Sequence, residues 1–238
     1  MKLLLPKQHG AWAMLIIPFW LGAAATGFVW QHIPLFIGWV LLYLATYPLL
    51  LLFKKKKTSF YSKWTLIYIG PATLLFTVPL SAAPSIFYFG LSMIPFFWIN
   101  AYYSSRNNER AILNDLSAII VFSLAGLASS YLSVESIRPE GVFVFLISLL
   151  FFAGSTLYVK SMIREKNNAH FKIISWSYHI SIPLLWIVAG HWMMMLAFLP
   201  SLFRALYFYG KTLGIMKLGI YEIVNAVCFF LISLGVIL

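Results

Sequence analysis

Charge is scarce in this chain. Of its 238 residues only 10% are charged, and Asp and Glu together number 6, while 62% are hydrophobic and the mean hydropathy is +0.89. A soluble domain carries about 25% charged residues, so a water-soluble globule is excluded. Intrinsic disorder needs low hydrophobicity and is excluded as well. The single cysteine, Cys228, rules out an internal disulfide framework and a cysteine-cluster metal site. The 5 histidines form no His-x3-His pair or His-rich cluster, which leaves haem and zinc without a ligand pattern. Gly-x-Ser-x-Gly and Walker motifs are missing, and Ser, His and Asp are too scattered for a hydrolase triad. What remains is an all-α, polytopic membrane helical bundle, read as a single integral membrane domain over residues 1–238 with no metal or cofactor.

Long apolar runs are what the chain does have. A spanning helix needs about 20 apolar residues. Nine such stretches are predicted: Gly10–Trp30, Ile33–Phe53, Trp64–Ala82, Ser85–Ser104, Ile112–Leu132, Gly141–Val159, Phe171–Gly190, Trp192–Tyr209 and Gly219–Leu238. Apolar residues run all round these segments rather than along one stripe, as lipid-facing helices require. Pro18, Pro48, Pro71, Pro79, Pro95 and Pro183 fall inside them, which a membrane bundle tolerates. Lys2 and Lys7 precede an apolar run reaching Ala23-Ala24-Ala25 and so imitate a signal peptide. The length of the run and its Trp12, Trp20 and Trp30 favour a retained first helix.

A net charge of +11 invites a nucleic-acid reading, but the distribution points to membrane topology instead. With the N-terminus inside, 16 of the 17 basic residues fall in inside segments, and only Arg138 lies outside, beside Glu135 and Glu140. One miscounted helix would invert every later loop. Nine crossings, N-in and C-out, are therefore expected. Leu41-Leu42, Ala45 and Leu49 match Leu149-Leu150, Ala153 and Leu157 at one offset; Asn100-Ala101 and Tyr103 resemble Arg204-Ala205 and Tyr207 at a similar one. These matches hint at two helical halves.

Ionisable groups in a bilayer are costly, so each is a site candidate. Near the inner face Asn100, Tyr103, Arg106, Asn107, Asn108, Glu109, Arg110, Asn114 and Asp115 collect at the end of the fourth helix and the start of the fifth. Loop donors at a helix start can hold an anion, with Asn114 and Asp115 as ligand or base. The plain alternative is a helix start, where Asp favours the first turn and Asn caps it. The Lys54–Lys57 run is either an anchor on anionic lipid or a cationic wall at a cavity mouth. Lys160 and Arg164 are four apart and would share a helix face, with Arg164 able to grip phosphate. His179, mid-helix, is expected to bond a nearby hydroxyl or carbonyl, with Ser175 one turn away. His9 and Trp12 share a face at the entry of the first helix, and His32 and His191 are expected at the outer surface. Glu222 and Asn225 share a face at the start of the ninth helix, and Arg204 either snorkels or pairs with Glu222.

The opening Pro6-Lys7-Gln8-His9-Gly10-Ala11-Trp12-Ala13-Met14, followed by Pro18 and Gly22, resembles the signature of the YwiC-like bacterial membrane family. Asn108-Glu109-Arg110 with Asn114-Asp115-Leu116, and Lys160-Ser161-x-x-Arg164-Glu165, are similar to it too. The resemblance covers essentially the whole chain and implies a multi-pass protein of the bacterial cytoplasmic (inner) membrane. A more distant likeness is to the UbiA prenyltransferase superfamily, whose fold has nine helices, N-in and C-out, around a cytoplasm-facing cavity. In that superfamily Asp-rich motifs after helices two and six hold magnesium on a prenyl diphosphate. The corresponding loops here carry Lys54-Lys55-Lys56-Lys57 and Lys160-Ser161-Met162-Ile163-Arg164-Glu165, whereas Tyr102-Tyr103-Ser104-Ser105-Arg106 is similar to its Tyr-then-basic segment. Magnesium needs hard oxygen ligands, usually several carboxylates, whereas the first of these loops has no acid and the second only Glu165.

The resemblance and the residues together lead to a UbiA-like protein whose basic, cytoplasm-facing cavity binds an anionic lipid or isoprenoid-phosphate headgroup. Asn100, Tyr103, Arg106, Asn108, Arg110, Lys160, Arg164 and Glu222 are the expected binding residues, and Asn114 and Asp115 the expected catalytic ones. Whether catalysis occurs stays open. The alternatives are a non-catalytic carrier or binding protein for a small anion, and a structural partner of a membrane complex. Membrane lipids are expected partners, nucleic acid is not, and no protein partner is specified.

Overall fold

The computed structural model describes residues 4–6, 10–54 and 57–238. Among these residues the chain is all helix: α1 (Ala11–Thr26), α2 (His32–Phe53), α3 (Thr58–Ala82), α4 (Ile86–Ser105), α5 (Ile112–Val134), α6 (Pro139–Ile163), α7 (Ala169–Val188), α8 (Trp192–Tyr207) and α9 (Ile215–Ile237). Each falls on one of the nine apolar stretches read from the sequence. Six of them, α2, α3, α5, α6, α7 and α9, are long and apolar enough to cross a membrane. Large apolar side chains such as Leu66, Leu74, Val188, Met216 and Ile223 are exposed along these helices, as contact with lipid chains requires.

Two helices are shorter than the apolar runs that contain them. α1 and α8 each have 16 residues, about 24 Å at 1.5 Å per residue. α1 stops at Gly27, whose φ of 95° is open to glycine but strained for other residues. Gly210, at φ 81°, lies in the turn after α8. Conversely, α3 and α9 begin four to six residues before the predicted spans. Helical hydrogen bonding continues through the charged turns holding Lys63 and Lys217. Proline is carried inside α1, α2, α3, α4 and α7 at the expected positions, and α8 adds Pro200.

The chain divides into two compact units, Met1–Phe145 and Leu146–Leu238. In the first unit α1 lies along α5, α2 along α3, and α4 against α5. Small residues let α1 and α5 approach closely: a Cβ on Gly126 would stand 2.6 Å from the Pro18 carbonyl oxygen. Polar groups then bond across the seam. Thr26 Oγ1 donates to the Ser130 carbonyl (2.7 Å), and Ser133 Oγ donates to Thr26 Oγ1 (2.9 Å). Beside them Leu15, Phe19, Trp39, Tyr43 and Phe122 form a buried core, with Phe122 edge-on to Trp39 at 5.9 Å.

His32 departs from expectation. It is fully buried rather than at a surface. The Val29 N–H donates to its Nδ1 at 3.0 Å, leaving Nε2–H to donate to the Ser129 carbonyl at 2.9 Å. His191, by contrast, is exposed as expected.

In the second unit α7 packs on α8 and α8 on α9. Its centre is aromatic: the rings of Phe151 (α6) and Phe229 (α9) stack at 3.9 Å, and Phe198 (α8) meets Phe229 at 5.5 Å. Asn168 caps α7, its side chain accepting from the Phe171 N–H at 3.2 Å.

Candidate functional site

Each unit, taken by itself, draws some of the polar residues picked from the sequence into contact. In the first unit a ladder of hydrogen bonds runs between α4 and α5. Asn100 Nδ2 donates to Ser117 Oγ at 2.8 Å, and Ser117 Oγ donates to the Asn114 carbonyl at 2.8 Å. Asn114 Nδ2 donates to the Glu109 carbonyl at 2.6 Å. The Glu109 carboxylate closes the ladder, accepting from Ser104 Oγ at 3.3 Å and pairing with Lys54 Nζ at 2.6 Å. Asn107 makes the turn with φ 55°, a conformation Asn tolerates better than most residues.

Asn114 is buried, and its Oδ1 has no hydrogen-bond partner among the described residues. Asp115 is half-buried in the first turn of α5. Tyr103 is half-buried, while Arg106, Asn108 and Arg110 are exposed. The Arg106 guanidinium sits 5.7 Å from the Tyr102 ring centroid. No asparagine side chain caps α5: its N-cap is Ala111, whose N–H donates to the Asn108 carbonyl at 3.2 Å. Lys54 is ion-paired, Lys57 starts α3 in the left-handed region at φ 45°, and Lys55 and Lys56 lie outside the described residues. So do Lys7, Gln8 and His9 of the opening motif.

In the second unit a cluster is built by α6, α8 and α9. Arg204 lies inside the last turn of α8 with its side chain 4% exposed. Its NH1 bonds Glu222 Oε1, and its NH2 donates to Ser155 Oγ at 3.2 Å. Ser155 Oγ in turn donates to Glu222 Oε2. The guanidinium carbon lies 4.5 Å from the Tyr158 ring centroid, a cation–π contact in a desolvated setting. Arg204 Nε and the fully buried Tyr158 hydroxyl both lack hydrogen-bond partners among the described residues. One turn further along, Ser201 and Asn225 exchange hydrogen bonds of 3.0 and 3.1 Å.

The pairing of Arg204 with Glu222 is one of the two outcomes expected of that arginine. Glu222 sits about two turns into α9 rather than at its start, because the helix begins at Ile215. Arg164 follows Lys160 by one helical turn, its N–H donating to the Lys160 carbonyl at 3.0 Å. α6 ends at Ile163, leaving Arg164 exposed just beyond it while Lys160 is buried at 9% exposure. His179 bonds as expected, its Nδ1 lying 2.7 Å from the Ser175 carbonyl. Its Nε2 faces a cavity of about 10 Å³ lined by Gly154, Tyr178 and Ser201, room for one water.

Sequence reasoning missed Ser155, Tyr158 and Ser117. Serines recur throughout the apolar helices, so only the acidic or amide partner marks the ones that matter. Among the described residues no three His, Cys, Asp or Glu side chains gather in one place. The carboxylates of Glu109 and Glu222 are each engaged by a cation.

The profile of the YwiC-like protein family matches residues 5–130, which run through α1 to α5. Over its whole length the chain is similar to the uncharacterized protein YwiC of Bacillus subtilis (strain 168), 46% identical with 97% of this chain and 96% of the relative covered. It is likewise similar to an uncharacterized protein of Haemophilus influenzae, 40% identical over 98% of each chain. No solved structure matches it. Pro18 and Gly22 of the opening signature lie on the face of α1 that meets Gly126 of α5. A helical, membrane-type protein, the chain belongs to the YwiC-like protein family.

Proposed function

We propose that this protein lies in the bacterial cytoplasmic (inner) membrane, N-in and C-out in a UbiA-like topology, and binds a phosphate-bearing lipid or isoprenoid headgroup at its inner face. Arg204 carries this reading. A guanidinium is enclosed among apolar helices, next to a carboxylate, a hydroxyl and an aromatic ring. Burying such a pair is costly, and replacing it with apolar groups is often neutral or stabilising. Its presence is better explained by a ligand than by stability. Lys160, Arg164 and Glu222 belong to this binding surface. Asn100, Tyr103, Arg106, Asn108 and Arg110 form the corresponding polar end of the first unit, where Asn114 and Asp115 are the residues that would act as ligand or base.

The headgroup is held by cations rather than through a metal. Positive side chains at the loop positions repel a divalent ion and attract phosphate themselves. The test is titration of purified protein with geranylgeranyl diphosphate, and separately with an anionic phospholipid, with and without magnesium. Binding should survive EDTA, weaken in high salt, and fall about tenfold or more on Arg204→Gln or Arg164→Ala, since charge-assisted hydrogen bonds contribute about 1.5–3 kcal/mol each. Binding that requires magnesium and ignores both substitutions overturns the reading.

A further inference from the structure

The way Glu222 holds Arg204 points to more than a static pair. A guanidinium offers five N–H donors in a rigid fork that suits two parallel bonds to one carboxylate. Here the carboxylate meets it directly through one nitrogen only, and the second contact is relayed by Ser155 Oγ. Arg204 Nε and the Tyr158 hydroxyl, both buried, have no hydrogen-bond partner among the described residues. A carboxylate on this site leaves donors unused. A phosphate group, with more terminal oxygens, has acceptors for them.

Resting on the headgroup reading above, we infer that Glu222 is a built-in stand-in for the ligand's anion, displaced from Arg204 when phosphate binds and taking up one proton as it leaves. Charge balance drives the second step. Arg204 with Glu222 is neutral, and Arg204 with a phosphodiester monoanion is neutral. The released carboxylate then carries a lone negative charge beside a bound anion, with its side chain 18% exposed. Protonation from the aqueous side removes that charge, and no bond other than O–H forms. The ionisable groups on the elements around Glu222, besides Glu222 itself, are Glu140, Tyr158 and Lys160 on α6, His170, Lys172, Tyr178 and His179 on α7, Arg204 and Tyr207 on α8, Tyr209 and Lys211 in the α8–α9 loop, and Lys217, Tyr221 and Cys228 on α9. Arg204 is the cation in salt-bridge contact with the carboxylate. Ligand and proton therefore load together, and affinity rises as pH falls.

The experiment uses the full-length protein in mild detergent and phosphodiester probes that do not titrate between about pH 5 and 8: short-chain phosphatidylglycerol, geranylgeranyl methyl phosphate and dimethyl phosphate. Calorimetric titration in buffers of different ionisation enthalpy counts protons. Wild type should take up about one proton per probe bound, its affinity falling by up to about tenfold per pH unit as pH rises. Glu222→Gln keeps a hydrogen-bond acceptor but no charge. It should bind about tenfold tighter or better, with no proton uptake and no pH dependence. Should that variant fail to fold, the wild-type proton count decides alone. Wild-type binding that takes up no proton overturns the exchange and leaves the headgroup site standing. Folded wild type and Glu222→Gln that bind none of the three probes overturn the site itself. The preferred probe tells lipid, isoprenoid and soluble anion apart.

Discussion

Gly22 of α1 and Gly126 of α5 face each other so closely that a methyl group on Gly22 would stand 2.0 Å from the Gly126 carbonyl oxygen. The obstacle is backbone, which cannot swing aside as a side chain can. Gly22→Ala should destabilise the first unit by about 3 kcal/mol, the upper end of overpacking costs. Gly90→Ala, with open space around its Cβ, should change little or stabilise slightly. Thermal unfolding of both variants in the same detergent checks this; equal melting points would show that the close approach does not matter.

The Arg204–Glu222 pair should be strongly non-additive. Arg204→Met leaves an uncompensated carboxylate and should cost about 3–5 kcal/mol, whereas Arg204→Met with Glu222→Met should come within about 1 kcal/mol of wild type. A double-mutant cycle on detergent unfolding measures the coupling, and simple addition of the two single losses would contradict it.

Lys54–Glu109 should behave differently. The carboxylate is 45% exposed, so water and salt screen the pair despite its 2.6 Å separation. Lys54→Gln should shift stability by less than about 1 kcal/mol, and less still in high salt.

The proposed N-in, C-out orientation predicts that Ser59 and Ser136 lie on opposite sides of the membrane. Single cysteines at these positions, introduced after Cys228→Ser, should be labelled from opposite faces of oriented vesicles. Labelling from one face only would require a different number of crossings.

Much of this architecture was legible in the residues because apolar side chains encircle each helix and leave little ambiguity about where it runs. Ends were harder. A span reading stops at the last charge, but a helix can hydrogen-bond through Lys63 and Lys217 and let the side chains reach the interface. His32 was misplaced for a related reason. Beside Gln31 at a helix start it looks like an interfacial residue, and its partner Ser129 is 97 positions away. Pairing with Glu222 was one of two readings open for Arg204, the other being snorkelling, and the fold selects it. Ser155, one serine among many, acquires meaning only from the fold.

The shortness of α1 and α8 has a consequence for the surrounding bilayer. At about 24 Å, each is shorter than a hydrocarbon layer of about 30 Å. Lipid next to these helices must thin or the helix ends must be covered by the rest of the protein, at a cost of fractions of a kcal/mol per Å of mismatch. Acyl-chain length thus acts as a mechanical variable for this protein. Thin membranes relax the annulus around α1 and α8, and thick ones press on it.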